Sequence, residues 1–184
     1  MNGTKAMALE SYCRSNGRTY TRSSNSCGIK PWRVEMLLVA MEIPHRIQGL
    51  VGIATATDFI KRRFECLPEE TKDMIKKTRK WEFPTPYNEK PYILSWNLIQ
   101  EAQQHELNGS IPVNCPVRLI HGMNDEEVPY DISIDVAQRL QTNDVKVTLI
   151  KDGSHRLSEP KHIRVITRTI EHLIQDLSKP ASNI

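Results

Sequence analysis

A chain of 184 residues with 39% apolar and 26% charged positions is long enough to bury a core, and its composition is neither that of a disordered tail nor that of a fibrous repeat. Twenty-five basic against 22 acidic side chains leave a net charge of +3, too slight to imply a nucleic-acid partner. No apolar run reaches the roughly 18 residues of a membrane span, so a soluble chain is expected.

The N-terminus, from Met1 to Glu10, has neither the apolar core of a secretory signal nor the arginines of a transit peptide, and no targeting segment is read there. Residues 4–13 suit a short helix. The stretch from Arg14 to Lys30 holds four serines and follows neither the strand nor the helix period, so residues 14–31 are expected to be irregular. Arg33 to Glu42 reads as a buried helix ended by Pro44, and the run from Ile47 to Thr55 as an interior parallel strand near 47–54.

Residues 59–112 break this rhythm with Pro68, Pro84, Pro86, Pro91 and Pro112, with Trp81 and Trp96, and with helical stretches expected near 68–80 and 92–106. They read as a cap inserted between an N-terminal core segment, 1–58, and a C-terminal one, 113–184. Lys76, Lys77, Arg79 and Lys80 form a basic run on the first cap helix, read as a solvated face. Beyond the cap, strands are expected at 117–121 and 145–150, with helices at 131–141 and 160–177. The last helix carries an apolar stripe of Ile163, Ile166, Ile170, Leu173, Ile174 and Leu177. Strands alternating with helices predict an α/β fold with a parallel, doubly wound sheet, whose functional groups gather on loops at the carboxyl ends of the strands.

Two such loops carry candidate chemistry. His121-Gly-Met-Asn-Asp125-Glu-Glu-Val-Pro129 follows one strand, and Lys151-Asp-Gly-Ser-His155 follows the next. A histidine acting as general base needs a carboxylate on its second ring nitrogen to set the tautomer and stabilise the imidazolium, and Asp125 with His155 supplies that pairing. Taken singly, Asp125 also suits a turn or a helix cap before Val128-Pro129, and His155 also suits a surface loop. Glu126 and Glu127 are the alternates to Asp125. A metal site made of His121, Asp125 and His155 is a further alternative, without the H-x-x-E-H or C-x-x-C spacing that would support it. Cys13, Cys27, Cys66 and Cys115, at spacings of 14, 39 and 49, suit free thiols in an intracellular compartment.

The strings GLVGIATATD, IPVNCPVRLIHGMNDEEVP and KDGSHR, with the cap between them, resemble the α/β-hydrolase domain-containing protein 10 family of mitochondrial serine hydrolases. The likeness covers residues 36–178 well, and residues 1–22 also resemble the helix and strand that precede the family's active-site half. It implies a partial α/β-hydrolase fold lacking N-terminal strands, with a helical cap. It also implies ester and thioester hydrolysis without a cofactor, acting on acylated proteins or small acyl esters such as acyl glucuronides. Asp125 and His155 take the acid and base roles. A mitochondrial location is implied, or a cytosolic one if the chain is translated as written.

One departure bears on activity. The family's nucleophile sits in a G-x-S-x-G elbow, and no two of the eight glycines here stand four apart around a serine or cysteine. The nearest string is Ser24-Asn-Ser26-Cys-Gly28, with a serine in place of the first glycine and no apolar strand before it. Ser26 is thus the one substitute the string offers, and a plain polar loop is the preferred reading there, with the nucleophile absent. A block altered or missing between Cys27 and Glu35, as in a truncated isoform or a misjoined gene, accounts for the gap. The expectations are a hydrolase by descent without turnover in this chain or, alternatively, a non-catalytic module binding acyl ligands or a partner.

Overall fold

In a computed structural model, residues 4–17, 35–57, 59–83, 91–97, 99–100, 107 and 109–179 are described. The chain divides into two compact units, one taking in Val34–Thr55 and Gly109–Ile184 with the N-terminal helix, the other Ala56–Asn108.

The first unit is built on a three-stranded parallel sheet. Its elements are α1 (Thr4–Ser15), α2 (Glu35–Glu42), β1 (Leu50–Ile53), β4 (Val117–Gly122), α5 (Asp131–Arg139), β5 (Val145–Ile150) and α6 (Pro160–Ser178). The strand order is β1-β4-β5, with Leu50 opposite Val117 and Val117 opposite Val145. The expected strands near 47–54, 117–121 and 145–150 are therefore neighbours and parallel. Every residue of β4 is buried, as a central parallel strand requires when both its faces are covered. Ile120 packs with Leu157, Ile166 of α6 and Leu9 of α1, whereas the next residue, His121, bonds to Ser133 of α5. Since successive side chains point to opposite faces, α1 and α6 cover one side and α5 the other, the doubly wound arrangement.

Two constraints set this unit's geometry. The first is Arg118, buried in mid-sheet, whose guanidinium donates to the Asp144 carboxylate at 2.7 and 3.3 Å and to the Val117 and Asp144 carbonyls. It ties the loop entering β5 to the central strand. The second lies at the carboxyl end of the sheet, where Gly122 meets Gly153. A Cβ on Gly122 would stand 2.1 Å from the Gly153 carbonyl oxygen, so only glycine allows the two backbones to touch there. Met123 N–H then donates to the Ile150 carbonyl and Asn124 N–H to that of Gly153, which sews the two strand-end loops together.

The second unit contains α3 (Phe59–Glu65), α4 (Glu69–Thr78), β2 (Lys80–Phe83) and β3 (Tyr92–Ser95). It corrects two expectations. The helix expected over 68–80 stops at Thr78, because Arg79 takes a left-handed conformation (φ 62°) that ends it, and Lys80 already opens a strand. Residues 92–95, expected as the start of a helix, form β3, antiparallel to β2. Leu94 is buried and Ile93 is 53% exposed, the period of two that marks a strand. Trp81 meets Phe64 edge to face and Trp96 meets it at a tilt, at centroid distances of 6.1 and 5.5 Å, and this aromatic cluster gives the hairpin a face to bury. Helix α3 lies outside both helical stretches expected there. Arg14 and Ser15, expected to be irregular, end α1, Asn16 and Gly17 form a turn as expected, and the rest of the expected break, 18–31, lies outside the described residues.

Two outcomes follow. Asp144→Ala leaves a buried guanidinium short of its partner and lowers stability by about 1–3 kcal/mol, read from the urea midpoint at unchanged slope. Gly122→Ala forces the 151–155 loop aside and costs about 2–3 kcal/mol. Backbone amide shifts that move at the sheet's carboxyl end, and not in the β2–β3 hairpin, check that second mechanism.

Candidate acid–base site

The site assembles on the sewn loops at the ends of β4 and β5. Asp125 lies three residues beyond Gly122, and its own N–H donates back to the Gly122 carbonyl in a tight turn. One carboxylate oxygen, Oδ1, accepts the backbone N–H groups of Glu127 and Val128 at 3.0 and 2.8 Å. This is the turn chemistry that short acidic side chains favour. The other oxygen, Oδ2, accepts Nδ1–H of His155 at 2.9 Å and Nε2–H of His121 at 3.2 Å. Asp125 therefore does both things its sequence context suggested, closing a turn with one oxygen and holding a histidine with the other.

His155 reaches Asp125 because of the residue two places further on. Leu157 is fully buried against Ile120 and Ile166 and takes a positive φ of 42°, which pins the loop to the core while His155 stays at the surface. The Asp125 side chain is fully inaccessible and that of His155 is 23% exposed. With Nδ1–H committed to the carboxylate, Nε2 is the ring nitrogen able to take up a proton.

Burial pushes the Asp125 carboxyl up. The hydrogen bonds from His121, His155 and Val128 N–H, with the electrostatic pull of His155, outweigh that and hold it well below the ordinary carboxylate range. Asp125 is an anion throughout the neutral range.

His121, weighed from the sequence only as a metal ligand, meets Asp125 and His155 about a shared carboxylate oxygen. Its Nε2 faces Asp125 Oδ2 and the Val128 carbonyl (3.0 Å), and its Nδ1 faces Ser133 Oγ (2.7 Å). The ring is fully buried. A histidine four residues before the acid, on a strand buried on both faces, was the available signal. Glu127 is buried and Glu126 exposed, and Glu127 enters this constellation through its backbone N–H. Ser26 lies outside the described residues.

The lowered Asp125 pKa carries a sign. Unfolded chains take up this proton near pH 3.9 and the folded chain does so only at lower pH. The stabilisation is therefore complete above that value and is lost as the pH falls below it. Asp125→Asn lowers stability at pH 7 by about 1–3 kcal/mol. It also flattens the loss of stability below about pH 4, as urea unfolding at a series of pH values will show.

Comparisons with known proteins show the family. Residues 64–180 match the prolyl oligopeptidase family. Palmitoyl-protein thioesterase ABHD10, mitochondrial, from Bos taurus is 36% identical over 97% of this chain and 70% of its own length, and the Homo sapiens protein of that name is 34% identical over the same shares. Both matches run over 215 aligned positions against a chain of 184, so at least 31 positions of each relative fall opposite gaps here. The solved structure of alpha/beta hydrolase domain-containing protein 10 from mouse superposes with a TM-score of 0.85 at 35% identity, covering 97% of this chain and 86% of that one. The chain belongs to the α/β-hydrolase domain-containing protein 10 family of hydrolases, within the wider prolyl oligopeptidase family.

Proposed function

We propose that Asp125 and His155 are the acid and base of an acyl ester and thioester hydrolase whose substrates are acylated proteins or small acyl esters, acyl glucuronides among them. The observation that carries this reading is the 2.9 Å bond between His155 Nδ1 and an ionised, buried Asp125 carboxylate. In such a reaction His155 Nε2 takes the proton of a nucleophilic hydroxyl as its oxygen attacks the acyl carbonyl, and returns it to the departing thiol or alcohol. Asp125 holds the ring in place and stabilises the imidazolium between the two transfers. Water repeats the sequence on the acyl-enzyme. The names of the Bos taurus and Homo sapiens relatives specify palmitoyl-protein thioesterase and a mitochondrial setting, and we carry both to this family member as the substrate class and the compartment to test first.

The nucleophile is the part this chain lacks. No G-x-S-x-G string occurs, and we infer that the elbow falls among the positions of the relatives that are gapped here. The donor supplied by the residue after the nucleophile is lost with it, and removal of even one oxyanion donor costs about 10² to 10³ in rate. The missing elbow favours a second reading beside the first, an acyl-ligand or partner-binding module that retains the acid–base pair without turnover.

Purified chain 1–184, checked for folding by circular dichroism, is expected to hydrolyse a short acyl thioester no faster than buffer and to resist labelling by an active-site serine probe. Turnover abolished by both His155→Ala and Ser26→Ala would promote Ser26 to nucleophile. Turnover that survives both would place the chemistry elsewhere. Restoring a glycine-flanked serine segment between Cys27 and Glu35 is expected to bring labelling that His155→Ala reduces.

A further inference from the structure

The acid–base pair does not account for the polar groups behind it. His121 is fully buried in the central strand, a position that β4 otherwise gives largely to Val117, Leu119 and Ile120, and a buried imidazole is costly unless both nitrogens are satisfied. Both are. Nε2 faces two oxygens, Asp125 Oδ2 and the Val128 carbonyl, which can only accept, so Nε2 carries a hydrogen. Nδ1 faces Ser133 Oγ at 2.7 Å, and a serine hydroxyl donates to a bare ring nitrogen. The tautomer follows from the partners alone.

The consequence reaches Asp125. Its carboxylate has four acceptor positions, and four donors fill them: two backbone N–H groups on Oδ1, and His155 and His121 on Oδ2. The backbone donors fix Oδ1 in the turn but leave Oδ2 held on the solvent side only, by a histidine that is itself 23% exposed. His121 holds the same oxygen from the core side. We propose that His121, kept in its Nε2–H form by Ser133, is a positioning residue that locks the Asp125 carboxylate from behind and so holds His155 in the Nδ1–H form. The proposal rests on the reading of Asp125 and His155 as an acid–base pair, and it adds to that pair a buried relay running Ser133, His121, Asp125, His155. The relay spans α5, β4 and the two strand-end loops, all within the sheet-bearing unit.

The test reads hydrogen positions and uses no turnover. Long-range proton–nitrogen correlation spectra of the ¹⁵N-labelled chain at neutral pH report which ring nitrogen of each of the six histidines is protonated. Assignment comes from single substitutions. The expected result is His121 protonated on Nε2 and His155 on Nδ1, the latter exchanging slowly with solvent. A bare Nε2 on His121 overturns the proposal in the unmutated protein, before any variant is made.

His121→Leu removes the donor. His121→Gln replaces it with an amide of similar reach. If His121 positions Asp125, the leucine variant loses the single-tautomer pattern of His155 and its ring N–H exchanges roughly tenfold faster, the equivalent of one hydrogen bond to a charged group, while the glutamine variant keeps both features. A merely structural His121 would lower the unfolding midpoint of both variants and leave the His155 pattern unchanged, which refutes the proposal, as does loss of the pattern in both. Should the leucine variant fail to fold, His121→Asn, whose shorter amide keeps the Ser133 side and does not reach Asp125 Oδ2, is read in its place, with loss of the single-tautomer pattern of His155 expected and an unchanged pattern overturning the relay. Absent hydrolase chemistry leaves these results standing, and a failed assignment at His121 leaves the Asp125–His155 pair standing, so the two readings fall separately.

Discussion

The backbone contact between Gly122 and Gly153 is the constraint from which the site is built. Parallel strands bring their carboxyl ends to one edge of a sheet, but the loops leaving them ordinarily diverge, because side chains at the strand ends keep the backbones apart. Here neither residue has a side chain, the 153 carbonyl lies where a Cβ of residue 122 would be, and the N–H groups of Met123 and Asn124 turn across to the neighbouring loop. Asp125 and His155, thirty residues apart in sequence, meet because the polypeptides that carry them are already in contact. Leu157 completes the arrangement by anchoring the far end of the second loop in the core beside Ile120 and Ile166. The chemistry of the pair is borrowed from the packing of the sheet.

Burying a carboxylate at this edge creates a second demand. A charge removed from water must be surrounded by donors, or it takes up a proton and ceases to orient anything. Asp125 meets that demand with two backbone amides from its own turn and two imidazoles, one on the solvent side and one on the core side. The core-side histidine passes the demand inward to Ser133 on α5. A polar thread thus runs from the surface into the buried central strand, and Arg118 with Asp144 makes a comparable polar tie near the opposite end of the same strand. Such groups contribute less to net stability than apolar residues of similar size, but they hold one geometry, since any other leaves a buried donor or acceptor unmatched.

The family relation and the composition of the chain pull in different directions. Membership rests on identity along nearly the whole chain and on close superposition with the mouse protein, and the acid and base candidates stand in the order that α/β hydrolases use. The glycine-flanked serine is nevertheless absent from the sequence. Orienting a base and supplying a nucleophile are physically separate tasks placed on different strand ends, so an internal gap can remove one and leave the other folded. The loops that carry Asp125 and His155 are held to each other by the backbone bonds of Met123 and Asn124 and by the Gly122–Gly153 contact.

Much of this was legible in the residues. The apolar runs at 117–121 and 145–150 pointed to parallel strands, although only β4 is buried throughout and β5 has no buried residue, the isoleucine and leucine stripe of 163–177 pointed to an amphipathic helix, and the order of Asp125 and His155 on successive strand-end loops suggested one edge of the sheet. The missing elbow is a statement about covalent sequence, and no fold was needed to see it. The hairpin of 80–83 and 92–95 was not legible, because a four-residue apolar segment fits either period, and only its partner across the sheet, with Phe64 and the two tryptophans, decides between them. Nor was the role of His121. A histidine on a strand can ligate a metal, line a core or hold a carboxylate. Which one it does depends on Ser133 twelve residues later and on the oxygen that Asp125 presents, partners that local sequence cannot name because they are adjacent only once the sheet and helix have packed.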